Sequence, residues 1–151
     1  KFKLDILILR ISSLFGIGLK KQFIYDAIKK VLKSQKIFWG TGKEVRDFIH
    51  IEDLSEIILR FIKLNKKGLN IFNCGSGNLY STKQVIKIIQ KNIGRKYPIS
   101  FNNYGKNINP KYLIPNIKKL TKEIKFKSKR DFNKDIINKI LWIKEKKIKK
   151  L

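Results

Sequence analysis

The chain has 151 residues, 36 basic and 11 acidic, for a formal net charge of +25 and an isoelectric point near 10.2. With 42% hydrophobic residues it has the material for a core, which excludes a disordered polar chain. The single cysteine, Cys74, excludes a disulfide framework and a paired-cysteine site, and the single histidine, His50, leaves no His/Cys metal cluster.

No apolar run reaches the length of a membrane span and no signal peptide is visible, so a reducing cytoplasm is the expected setting. Methionine is absent throughout, including position 1, which reads as a piece of a longer product. Of the basic residues, 31 are lysine and five arginine, and Ala27 is the only alanine. That skew follows an A+T-rich coding bias, and charge acquired in this way speaks to solubility and nonspecific binding rather than to fold. Ile57 to Lys122 nevertheless lacks any carboxylate, which makes one surface strongly positive.

Leu4 to Ile11 is a nearly continuous apolar run and predicts a strand buried on both faces, as in a parallel sheet. Gly16 and Gly18 mark the loop after it. Over residues 20–34, Phe23, Ile24, Ala27, Ile28, Val31 and Leu32 recur at helical spacing. Ile37 to Trp39 predicts a short strand closed by Gly40 and Gly42, and Val45 to Ile49 predicts another. Residues 52–64 predict a helix with Leu54, Ile57, Ile58, Phe61 and Ile62 inward and with Glu52 and Asp53 at its positive N-terminus.

Leu69 to Cys74 predicts a strand. Past the Gly75–Gly77 turn, Ser81 and Gln84 form an S-x-x-Q capping box for a helix over 82–93. Ile99 to Asn102 predicts a short strand, followed by a polar loop to Pro115. A short helix over 117–123, capped by Asn116, comes next. The last helix runs from Phe132 to Lys147 with Phe132, Ile136, Ile140 and Ile143 on one face, and the lysine-rich tail over about 146–151 is expected to fray. Strands alternating with helices place the chain in the α/β class.

Three blocks carry the functional signal. The first is Leu9-Arg10-Ile11-Ser12-Ser13-Leu14-Phe15-Gly16. The second is Gly42-Lys43-Glu44-Val45-Arg46-Asp47-Phe48-Ile49-His50-Ile51-Glu52-Asp53, and the third Asn73-Cys74-Gly75-Ser76-Gly77. In this order and spacing they resemble the C-terminal half of the nucleotide-sugar epimerase/dehydratase family, the extended branch of the short-chain dehydrogenase/reductases. The resemblance runs from about Leu4 to Trp142. It departs from the family pattern at Ser13 (commonly asparagine), Ile17 (proline), Lys106 (a second arginine) and Asn109 (often aspartate).

The resemblance implies a fold: the C-terminal part of a Rossmann-like parallel sheet with a small α/β substrate-binding subdomain. The whole chain, 1–151, would be one C-terminal fragment, its N-terminal cofactor half absent. It also implies roles. Ile11 and Ser12 would approach the nicotinamide end of bound NAD or NADP, and Ser13 would face the sugar nucleotide. Ile37, Phe38 and Trp39 would lie by the base. Arg46 would clamp the diphosphate, for which a planar, permanently charged fork is suited, and Lys106 would stand in for the second arginine.

The family's G-x-x-G-x-x-G turn, whose helix N-terminus meets the pyrophosphate, is absent. The acid/base Y-x-x-x-K unit would lie upstream of Arg10, outside this chain. The implied partners are a nucleotide-sugar substrate, the missing N-terminal half or a companion chain, and a second copy in a homodimer when intact. No membrane and no specific nucleic acid are implied.

Several features have plainer readings. Tyr25 and Lys29 spell Y-x-x-x-K, but on an ordinary amphipathic helix, so they read as a decoy. Gly75-x-Gly77 lacks the third glycine of a dinucleotide loop and reads as a structural turn. His50, between Ile49 and Ile51, reads as a buried hydrogen-bonding residue, Asp53 as a helix-start charge, and Lys144 to Lys150 as a solvated face. The alternatives to the enzyme reading are a basic module binding nucleic acid or another polyanion, and an inactive remnant of the enzyme.

Overall fold

The computed structural model describes the backbone of residues 4–148 and side chains to Lys146. The chain begins with two strands on almost continuous backbone, β1 (Ile6–Ile11) and β2 (Ser13–Phe15), separated by Ser12 alone. Helix α1 (Phe23–Leu32) follows, then β3 (Ile37–Phe38), β4 (Val45–His50), α2 (Ile51–Lys63), β5 (Leu69–Cys74) and β6 (Leu79–Ser81). The remainder is α3 (Thr82–Ile93), β7 (Ser100–Phe101), β8 (Tyr112–Leu113), α4 (Lys118–Ile124) and α5 (Phe132–Ile148).

Parallel pairing dominates: β1 with β5, β2 with β4, β4 with β8 and β3 with β7, while β4 and β6 pair antiparallel. The strand run therefore changes partner at Ser12, from β5 to β4. Side-chain alternation along β4 builds two cores. Phe48 faces a core made by α1, α3 and α5, with Ile28, Ile86 and Ile136 fully buried. Ile49 faces the opposite core, between the β1–β5 pair and helices α2 and α4, with Phe72, Leu120 and Phe126.

Local signals explain the helices. In α1, Ile24, Ala27, Ile28 and Val31 recur every three or four residues and are buried. In α3, Ser81 and Gln84 form the expected reciprocal capping box, and the helix ends on Gly94 at φ +75°, a left-handed position that glycine reaches without strain. In α5 the predicted face, Phe132, Ile136, Ile140 and Ile143, is buried.

Four expectations need correction. The Leu4–Ile11 run is not buried on both faces. Leu7 and Leu9 pack on the second core, but Ile6 and Ile8, on the opposite face of β1, are each 43% exposed and belong to neither core. The amides of Ile6 and Ser12 donate to Gly68 and Cys74 carbonyls, so in a parallel ladder the alternate residues Leu7, Leu9 and Ile11 aim their backbone groups at the other edge.

On α2, Leu54, Ile57 and Phe61 face inward, but Ile62 is 64% exposed and Ile58 lies toward solvent, the buried stripe being narrower than predicted. Residues 13–15 and 79–81, for which no strand is expected, form β2 and β6, and Tyr112–Leu113, inside the expected polar loop, forms β8. Asn116 Oδ1 does accept from the Lys118 amide (3.0 Å), yet α4 starts one residue late, with Ile117 at its N-cap. The backbone stays helical to Ile148; the rest of the tail expected to fray lies outside the described residues.

Candidate functional site

Strand β4, held between β2, β6 and β8, carries Arg46 to the wall of a cleft of about 410 Å³. Ser13, Trp39, Glu44, Tyr104 and Asn109 line the same cleft. Arg46 Nη1 donates to the Val45 carbonyl (2.8 Å), and the guanidinium forms no ion pair with a described residue. Burial lowers the Arg46 pKa while the Glu44 charge raises it; an arginine stays charged through shifts of this kind. The cleft thus presents a partly desolvated cation that no carboxylate among the described residues pairs with.

The sequence-predicted residues distribute around this cation. Trp39, 70% exposed, sits at the cleft edge with its ring 5.5 Å from that of Tyr104. Trp39 also borders a second hollow of about 500 Å³ over α1, with Phe23, Phe38, Lys30 and Lys33. Phe38 is buried against Phe101, so its ring belongs to the core, and Ile37 points to solvent. Lys106 lines an adjoining hollow of about 360 Å³, with Lys43 and Lys111, that shares Glu44 and Asn109 with the Arg46 cleft. Ile11 is 43% exposed at the C-terminal end of β1, and Ser12 Oγ lies 3.4 Å from Asp47 Oδ1.

Two buried carboxylates organise the site, and both were missed as individual residues. Glu44 accepts from the Thr41 amide (2.6 Å), Thr41 Oγ1 (2.7 Å) and Thr82 Oγ1 (2.9 Å), closing the turn before β4 onto the start of α3. The T-x-x-E spacing of Thr41 and Glu44 was a readable signal. Asp47 accepts from the Ser76 amide (2.7 Å), Ser76 Oγ (3.1 Å) and the Gly77 amide (2.9 Å). A Cβ on Gly75 would stand 2.5 Å from Asp47 Oδ2 and 2.8 Å from Pro115 Cγ. The Gly75–Gly77 segment is therefore a turn wrapped on a carboxylate, as its sequence suggested, with its amides already occupied.

Glu44 gives a pH prediction. Burial opposes its charge, but the Thr41 and Thr82 donors outweigh burial and hold the carboxyl at about 2, below the 4.5 of a free glutamate. Its contribution is full above pH 4.5 and drains away as pH falls toward 2. Urea unfolding should show the wild type losing about 2–3 kcal/mol from this group between pH 5 and pH 2, with Glu44→Gln lacking that loss. Equal pH slopes in the two proteins would refute it.

His50 is buried at the α2 N-cap, where Nδ1 accepts from the Glu52 amide (3.2 Å), the hydrogen-bonding role read from sequence. Burial, then the Arg130 charge, lowers its pKa. Asp53 accepts from Ser128 Oγ (2.6 Å), and burial raises its pKa against that bond. Arg130 grips Asp135 through two bonds (2.9 and 2.6 Å) and also reaches Glu52. This network joins α2 to α5 and is saturated by its own members. Tyr25 and Lys29 stack on α1, the ammonium 5.4 Å from the ring centre. No group of three or more metal-ligating side chains and no helix long and apolar enough to cross a membrane occurs among the described residues.

The α/β fold with parallel sheets is shared with about half of each of several epimerase/dehydratase structures. The UDP-glucuronic acid 4-epimerase of Bacillus cereus, in complex with UDP-glucuronic acid and NAD, matches with a TM-score of 0.81 at 21% identity, over 94% of this chain and 46% of that one. The dTDP-glucose 4,6-dehydratase of Bacillus anthracis, in complex with NAD, matches with a TM-score of 0.80 at 20% identity, over 94% and 45%. In sequence, the UDP-glucuronate 4-epimerase of Thermodesulfobacterium geofontis is 27% identical over 147 residues, 95% of this chain and 45% of that protein. Residues 1–75 match the NAD dependent epimerase/dehydratase family. The match to that family covers the first 75 of the 151 residues, and the chain spans less than half the length of these relatives.

Proposed function

We propose that this chain is the C-terminal, substrate-binding half of an NAD(P)-dependent nucleotide-sugar epimerase, dehydratase or reductase. Arg46 holds the substrate diphosphate, Trp39 borders the base, Ser13 faces the sugar, and Lys106 adds charge from the adjoining hollow. One observation carries the reading: an arginine that forms no ion pair with a described residue lines an open cleft beside an exposed tryptophan and tyrosine. The family match and the relatives acting on UDP-sugars support it.

The cofactor, when bound, supplies a hydride acceptor. Ile11 and Ser12, at the C-terminal end of a parallel strand, fit it as one wall of its site. The glycine-rich cradle for a pyrophosphate has no counterpart in this sequence, so that cradle and the acid/base residues belong to the other half in this reading.

Thermal unfolding with and without UDP and UDP-glucose tests the proposal. At a hundred times the dissociation constant a ligand stabilises by about 2.7 kcal/mol. Arg46→Ala should weaken binding about 10–100-fold, as loss of a charge-assisted pair does. Equal protection by inorganic polyphosphate, with Arg46→Ala silent, would instead favour the basic polyanion-binding module.

A further inference from the structure

Lys139 lies in the middle of α5 at 1% exposure. It forms no ion pair among the described residues, since Asp135, one turn earlier, is held by Arg130. Its Nζ instead donates to the carbonyls of Gly16 and Leu19, each at 2.5 Å. The ammonium also sits 4.2 Å from the Trp142 ring centre and 5.4 Å from that of Tyr25. The other charges nearby belong to Lys29, which shares the Tyr25 ring, and Lys146, which shares the Trp142 ring. His50 lies beyond Gly16.

Burying an ammonium without a counter-ion is costly. Burial, with Lys146 adding repulsion, pulls the Lys139 pKa down to about 8. A leucine or methionine would fill this core space without that cost, so what a lysine adds is the two carbonyl bonds and the ammonium's contact with the two rings. Those carbonyls bound the Gly16–Leu19 loop, in which Gly16 and Gly18 both have positive φ. The loop joins β2 to α1. Ser13, just before it, and Phe23, just after it, both line the Arg46 cleft.

We propose that Lys139 is a positioning residue for that cleft: by donating to Gly16 and Leu19 it fixes the loop that sets Ser13 and Phe23 on the cleft wall. Lys139 touches neither the cleft nor a ligand. The ligand arm of the test rests on the nucleotide-sugar reading; the other arms do not.

Lys139→Met keeps the volume and removes the donor. Its amide exchange over residues 17–22 should rise at least tenfold while β5 and α3 keep wild-type protection. The Ser13 and Phe23 amide resonances should move, and UDP affinity should fall about tenfold. Lys139→Arg, which retains donors, should restore all three. Trp142 emission should titrate near pH 8 in the wild type, at somewhat higher pH in Lys146→Gln, and not in Lys139→Met. If the methionine variant does not fold, Lys139→Gln replaces it with the same expectations. Unmoved Ser13 and Phe23 amides with wild-type loop exchange would overturn the proposal. Absence of UDP binding to the wild type would count against the nucleotide-sugar reading alone, leaving exchange and resonance shifts to judge Lys139.

Discussion

Asp47→Ala is expected to cost about 2–6 kcal/mol of stability in urea unfolding, the sum of two amides left without acceptors at about 1–3 kcal/mol each. The amides are those of Ser76 and Gly77, which have Asp47 as their acceptor. Asp47→Asn, which keeps one acceptor oxygen, should cost less than half as much. The loss should come with faster amide exchange in residues 75–78 and in β6, because the turn leads directly into that strand. A cost below about 1 kcal/mol for the alanine variant would show that water replaces the carboxylate, contrary to a side chain only 1% exposed.

Arg130→Met is expected to destabilise by about 3–5 kcal/mol, the range for removing one partner of a buried pair. Asp135 is 4% exposed and would be left with neither of its two guanidinium bonds. The double variant Arg130→Met/Asp135→Leu should recover most of the loss, since an apolar pair of similar volume removes the stranded charge. Calorimetric melting of the wild type, the single and the double variant checks this; a double variant no better than the single would place the energy in Glu52 and packing rather than in Asp135.

The elements with strong local grammar were legible. The Ser81–Gln84 box, the 3.6-residue stripe of α1 and the apolar face of α5 each state their element in a few residues, and the structure keeps them. The strands β2, β6 and β8, of two or three residues each, were not legible, because they exist through their pairing with β4, a long-range fact that no local pattern encodes. Burial of β1 was misjudged for a related reason: an apolar run records what a strand is suited to touch, whereas exposure depends on which neighbours are present.

In the site, Arg46 stood out through its motif, but Tyr104 emerged only when the loop after β7 folded back on β3, the Asn102 and Asn103 amides bonding the Phe38 and Gly40 carbonyls. Arg130 and Lys139 were hidden among 36 basic residues. Nothing in composition distinguishes a buried cation from a solvated one; Arg130 has Asp135 five positions away but Glu52 78 away, and the carbonyls that hold Lys139 lie more than 100 positions away.

The change of partner at Ser12 has a mechanical consequence. One stiff length of extended backbone from Ile6 to Phe15 works as a common axle for the outer pair and the inner sheet, with a single residue as its bearing. No loop lies between them to absorb a twist. A rotation imposed on the outer pair is therefore passed along the backbone to β2, and through its ladder to β4, the strand that carries Arg46.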